Sequence, residues 1–224
     1  SFLVKAETFY KRMNNLINYE KGLTYSSIGA ENWESFIEVN GQGEAYGLEL
    51  FISKSTPKWN TSLAYTLSWS NRLFEEINNG NWFPFRYDRR HDIELLGTYN
   101  ISDKWSLNAV FVLSSGIAVT LPSSIIIGYN GTPIIVNQEV NGKRLPSYNR
   151  LDVTLSRLKK KENGKINRLS FGAYNAYAKR NIFSISEYFF NVYDNDETVI
   201  GYKYQLDGFS LFTIIPFVNY TIYF

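Results

Sequence analysis

The residues with chemical potential are few, and most of them gather near the middle of the chain. His91 is the single histidine, and Asp92 and Glu94 follow it in RYDRRHDIELL. An imidazole beside a carboxylate is the beginning of a general acid–base pair. In an extended segment, however, Asp92 points to the opposite face from His91, so a structural or interfacial histidine is expected. Arg86, Arg89 and Arg90 stand just before it and suit an ion-pair network or contact with an anionic surface. Gly41-Gln42-Gly43 lacks the helix of a phosphate loop and reads as a flexible strand entry. Asp194-Asn195-Asp196-Glu197 lacks the glycine and terminal glutamate of a calcium loop and reads as a solvated loop tip. No nucleophile with its base appears elsewhere. Neither enzyme activity nor a cofactor or metal is expected.

Composition narrows the classes further. The 224 residues include no Cys, one Met, 17 Tyr, 16 Phe and 5 Trp. Without cysteine there is no disulfide scaffold and no thiolate metal site. Basic and acidic residues number 23 and 21, so nothing in the charge favours nucleic acid. Mean hydropathy is only -0.25, and no run reaches the 18 or so apolar residues of a spanning helix. Aromatic residues are nevertheless 17% of the chain. Residue 1 is Ser with no leader-like segment after it, which suggests a processed chain or a fragment.

The elements that must position these residues alternate with period two. Trp59, Leu63, Tyr65, Leu67 and Trp69 fall on one side of a strand, with Asn60, Ser62, Ala64, Thr66 and Ser68 on the other. Ten residues extend about 34 Å, which at a tilt of about 40° covers the roughly 25 Å apolar band of an outer-membrane barrel. Trp105 opens a similar strand. The last stretch, Phe209 to Phe224, reads as one strand with Phe212, Ile214, Val218, Tyr220, Ile222 and Phe224 on its apolar face. Lys5, Glu7, Lys11, Glu49, Asp92, Glu94, Arg150 and Asp152 take the opposite face, where they and Arg90 are expected to meet a lumen or a plug.

In all, eight strands are expected, with short connections near 55–58, 101–104 and 158–165. Long ones are expected near 14–43, 71–89, 116–147 and 180–207. Within the third, SSIIIGYN and TPIIVNQ suit a small hairpin, and Asn130-Gly131 and Asn141-Gly142 are turn signals. Aromatics in the long connections (Trp33, Phe36, Trp82, Phe83, Tyr129, Tyr188) suit either stacking on a ligand or loop packing. Short turns on one side and long loops on the other suit the two faces of a transmembrane barrel. The fold class expected is all-β, an antiparallel transmembrane β-barrel. A self-contained eight-stranded barrel acting as an adhesin or structural protein and a soluble carbohydrate-binding β-sandwich are the alternatives.

Three segments carry a resemblance. GEAYGLELFISKSTPKWNTSLAYTLSWSNRLF, NGNWFPFRYDRRHDIELLGTYNISDKWSLNAVFVLSSG and RLPSYNRLDVTLSR, with the terminal Phe224, resemble the C-terminal part of TonB-dependent outer-membrane receptors. The YDRRHD segment (Tyr87 to Asp92) and the KW-S-L strand are its specific parts. The resemblance implies that residues 1–224 are the C-terminal portion of a 22-stranded barrel that surrounds an N-terminal plug. It implies import of a scarce nutrient such as a siderophore, glycan or peptide, and a place in the cell outer membrane. The implied partners are membrane lipid and lipopolysaccharide, the plug and remaining strands, the TonB complex through the N-terminal part, and the barrel-assembly machinery. That machinery would read Val218, Tyr220, Ile222 and Phe224.

Overall fold

Where apolar and polar residues alternate over ten or more positions, the backbone satisfies its N–H and C=O groups only by pairing with a neighbour. A computed structural model describes residues 1–19, 36–127, 133–137, 139–160, 165–195 and 199–223, and it is built almost entirely of such pairs. In chain order the strands are β1 (Phe2–Tyr19), β2 (Ile37–Ser55), β3 (Trp59–Leu73), β4 (Phe83–Pro84), β5 (His91–Asn100) and β6 (Trp105–Ser114). There follow β7 (Ala118–Val119), β8 (Pro122–Ile127), β9 (Pro133–Asn137), β10 (Lys143–Arg144) and β11 (Tyr148–Lys160). The last are β12 (Ile166–Tyr174), β13 (Ser184–Tyr193), β14 (Val199–Phe209) and β15 (Ile215–Tyr223). The protein is all-β and every pairing is antiparallel.

One sheet dominates, in the order β1-β2-β3-β5-β6-β11-β12-β15, with β4 added beside β3. Among the described residues β1 and β15 are its two edges and do not pair with each other. Successive members meet alternately at a short and at a long connection. The first short turn is tied by Thr56, whose Oγ1 accepts the Trp59 N–H at 2.9 Å. In the second, Ser102 Oγ accepts the N–H groups of Lys104 and Trp105 at 3.3 and 3.2 Å. The remaining strands form three two-stranded pieces, β7 with β10, β8 with β9, and β13 with β14.

Several expected boundaries move. β1 continues to Tyr19 and β2 begins at Ile37, so 14–43 is less loop than its polarity suggests. Gly41 and Gly43 lie inside β2 and are buried, not at a flexible entry. A β-carbon at Gly41 would stand 2.2 Å from the Phe74 ring, so its lack of side chain makes room for a packed aromatic. The 180–207 segment contains the β13–β14 hairpin. The closing strand starts only at Ile215, and Phe209 ends β14. The hairpin expected within 116–147 is present, with Ile125 opposite Ile135. Asn141 takes a left-handed φ of 56° and Gly142 N–H closes the turn to Glu139 at 3.1 Å. Asn130-Gly131 and Phe224 lie outside the described residues.

Register places the apolar half of each long strand on one side, here called the first face. Val4, Ile52, Leu63, Leu95, Phe111 and Leu151 stand opposite one another in turn from β1 to β11. Tyr99, Leu107, Leu155, Phe171 and Val218 do the same from β5 to β15. Trp59 stacks on Tyr99 with ring centroids 4.2 Å apart, and Trp69 on Tyr46 at 5.2 Å. Two residues beyond the Tyr10–Tyr46–Trp69 row the same face turns polar, at Arg12, Glu44 and Asn71. Trp105 lies edge-on to Phe171, under the Arg157 guanidinium.

Among the described elements no helix or second sheet packs on this face; each long strand mainly touches its sheet neighbours. Val218 is 75% exposed, Trp59 52% and Val4 50%, whereas Leu63, Tyr65, Leu67, Trp69 and Trp105 are half-buried by their strand neighbours. Among the described residues the one buried apolar cluster is small: Phe74, Ile77, Phe83 and Val140, with Leu16 against it, at the long-connection end. The chain exposes 15520 Å², against roughly 10,500 Å² for a compact monomer of this mass.

Close strand packing yields a stability prediction. A β-carbon at Gly47 would lie 2.4 Å from the Leu67 carbonyl oxygen, whereas one at Gly97 meets nothing within 4 Å. Gly47→Ala is therefore expected to cost roughly 1–3 kcal/mol through forced backbone shifts. Gly97→Ala is expected to be neutral or to stabilise by up to about 1 kcal/mol. Urea unfolding midpoints of the two variants read the difference.

Candidate functional site

The polar side chains that converge do so at the long-connection end, around two features. The first is Asp88, whose side chain is wholly buried. β5 stops pairing with β3 at His91 opposite Leu67, and β4 resumes at Pro84 opposite Asn71. In the gap the Ser70 N–H has no strand carbonyl, and Asp88 Oδ1 accepts it at 2.6 Å. The other oxygen receives the Arg144 guanidinium in a short ion pair, and Arg90 Nη2 at 3.4 Å. Arg144 Nη1 donates further to the Asp88 carbonyl at 2.6 Å and the Gly116 carbonyl at 3.2 Å. Two guanidinium groups and a backbone N–H are the compensation that a buried carboxylate requires.

Side-chain amides extend this junction. Asn78 accepts the Val140 N–H at 2.7 Å and donates to the Val140 carbonyl at 3.1 Å, as a strand would. Asn141 Nδ2 donates to the Pro84 carbonyl at 3.0 Å. The connections 74–90 and 115–147 thus hold each other.

The second feature is a cavity of about 420 Å³ beside that junction. Tyr148 and Arg150 of β11, Tyr174 of β12 and Ile215 of β15 enter it from the second face, while Phe183, Leu211 and Phe212 close it from the last connection. Below lies Asp152, which accepts the Asn175 N–H at 2.9 Å and pairs with Arg150 Nε at 3.0 Å. Arg150 Nη1 donates to Tyr148 Oη at 3.1 Å. Asn181 holds the start of β11 by a reciprocal pair with the Asn149 backbone, at 3.0 and 2.8 Å. Tyr177 donates its hydroxyl to Asn149 Oδ1 at 2.6 Å. Its phenol is shifted upward, first by desolvation and then by Tyr148 and Asp152.

The expected lumen residues divide. Asp92, Glu94, Arg150 and Asp152 share the second face, since Asp92 stands opposite Ser114 and Thr66, and Glu94 opposite Val112 and Ala64. Asp92 accepts the Ser114 hydroxyl at 2.6 Å. Arg90 does not join them, because its guanidinium lies 4.5 Å over the Trp69 ring and turns to Asp88. The arginine cluster is split rather than shared: Arg86 lies over Tyr87 at 5.9 Å, and Arg89 reaches Asp92 at 4.0 Å. His91 Nδ1 is 2.9 Å from Tyr65 Oη, with the two rings stacked. Phe83 belongs to the small core, while Phe36, Trp82 and Tyr188 are exposed. Trp33, Tyr129, Asp196 and Glu197 lie outside the described residues. Among those described, no group of three His, Asp or Glu side chains is arranged to hold a metal.

Comparison with protein families, with curated proteins and with solved structures returned no match to this chain. The geometry of the site therefore rests on its own residues. Asp88→Ala is expected to destabilise by roughly 3–5 kcal/mol, since it leaves the Arg144 charge without its counter-ion and the Ser70 N–H without an acceptor. Limited proteolysis should then cut within 116–147 faster than in the parent chain.

Proposed function

We propose that this chain forms the C-terminal strands of an outer-membrane β-barrel receptor of the TonB-dependent kind, which imports a scarce nutrient. The observation that carries the reading is the first face: apolar from β1 to β15, and covered by no other element among the described residues. Hydrocarbon is the solvent that suits such a face, and the Tyr and Trp side chains near its margins suit the two lipid–water boundaries. On this reading Trp59, Leu63, Tyr65, Leu67, Trp69 and Trp105 meet lipid. The second face meets water or a plug. Glu7 stands directly opposite Glu49 on that face, an arrangement that costs stability unless water screens it.

The open edges argue for more strands. In lipid each unpaired edge N–H or C=O costs several kcal/mol, so β1 and β15 must find partners. Closing the eight strands on themselves would press Lys5, Glu7, Lys11 and Glu49 into an interior with room only for packed side chains. A wider barrel of the size implied by the family resemblance, 22 strands around a plug, avoids that. The long-connection end then faces the exterior and lipopolysaccharide, and the cavity beside Arg150 opens toward incoming solute. The TonB complex acts through the plug-bearing part of the receptor. The assembly machinery reads Val218, Tyr220 and Ile222 on the closing strand, together with Phe224.

Substitution on the two faces of β3 tests this. Leu63→Arg is expected to impair assembly into detergent or bilayer by about 2–4 kcal/mol, as for an arginine near the bilayer midplane. Ser62→Arg, on the other face, should be mild. Heat-modifiable mobility on cold gels reads both, and equal effects at the two positions would remove the face assignment and the reading with it.

A further inference from the structure

The cavity at the long-connection end has a one-signed lining. Among the described residues, the charged side chains in its wall are Arg89 and Arg150, and no carboxylate or lysine shares the wall with them. The two acids just outside the wall are the present counter-ions of these arginines, Asp152 of Arg150 at 3.0 Å and Asp92 of Arg89 at 4.0 Å, and each accepts a further hydrogen bond. Asp152 is served by the Asn175 N–H and by Arg150 Nε, and Asp92 by the Ser114 hydroxyl. The Arg89–Asp92 pair is loose, at 4.0 Å between side chains that are both nearly half exposed, and such a pair is worth little and exchanges readily. The rest of the wall is mostly apolar, including Ile117, Phe183, Leu211 and Phe212. Its volume of about 420 Å³ lies within the range of small-molecule sites.

We infer that this cavity takes an organic acid with a flat apolar body. The acid group is held by the Arg150 guanidinium, and Arg89 swings from Asp92 to join it, because guanidinium groups recognise carboxylate and sulfonate oxygens in pairs. The apolar body lies against Phe183, Phe212 and Tyr174. An inorganic anion is the weaker occupant, since it gains the guanidinium groups but leaves the apolar walls uncovered. A cation is disfavoured beside the two guanidinium groups. The inference names the solute class for the receptor proposed above and rests on that reading only for the direction from which the solute arrives.

Titration calorimetry on the full 224-residue chain, with naphthalene-2-carboxylate as probe, tests it. The acid should bind, inorganic sulfate should bind at least tenfold more weakly, and 2-naphthylmethylammonium should also bind at least tenfold more weakly. Arg89→Gln decides, because its side chain is exposed and its loss leaves the fold intact; it should weaken the acid at least fivefold. Arg150→Lys, which keeps a charge beside Asp152, should weaken it to a similar degree. Arg157→Gln, at the other end of the sheet, should change nothing. No binding of the acid, equal binding of the ammonium analogue, an unchanged affinity in Arg89→Gln, or an equal loss in Arg157→Gln each overturns the inference. Runs in detergent and in plain buffer separate the two readings: a chain that folds and binds only in buffer keeps the cavity's role and removes the membrane.

Discussion

Burial of apolar surface is the main force available to a chain in water, and here one side of a sheet is apolar with no other described element to cover it. The rest of the architecture follows from that constraint. A single extended sheet can hold together through its ladder and its cross-strand pairs, but its apolar side needs an outside partner. The aromatic stacks at Trp59–Tyr99 and Tyr46–Trp69, the polar row at Arg12, Glu44 and Asn71, and the charges on the opposite side are all arranged relative to that need.

Among the described residues, an apolar interior is built only at the long-connection end. Phe74, Ile77, Phe83 and Val140 supply a small core, and Asp88 fastens it to the sheet by standing in for a missing strand carbonyl. Arg144 carries that anchor across to the neighbouring connection. The cavity lies beside this fastened region, so its walls come from strands on one side and from restrained connections on the other. Side-chain amides at Asn78, Asn141 and Asn181 take the part of backbone ladders where the strands have ended, which is how irregular segments keep their polar groups paired.

Much of this was legible in the residues and some was not. Period-two alternation located the strands around Leu63, Leu95, Phe111 and Leu155, and also which face each residue takes, because a register error would have turned every one of them over. The ends of strands were less readable. Polar residues at 14–19 and 37–43 look like loop when only hydrophobicity is followed, yet pairing with a neighbour extends them as strand. The β13–β14 hairpin was hidden for the opposite reason, since its apolar residues occur in a segment separated from the main sheet. Asp88 and Arg144 are 56 positions apart, and nothing in local spacing links them. Arg90 stands just before β5, where parity does not apply, and its guanidinium turns to Asp88 and the Trp69 ring.

The directions of the two edge strands carry a further consequence. β1 rises from the short-turn side toward the long connections, and β15 descends from the long connections toward the short turns. An antiparallel ladder alternates direction at every step. Any cylinder that incorporates this sheet by antiparallel pairing must therefore insert an even number of strands between β15 and β1, with none, two or fourteen all admissible and any odd number forbidden. Parity of the complete ring is thus decided within this chain, while its circumference is decided by whatever pairs with the two edges.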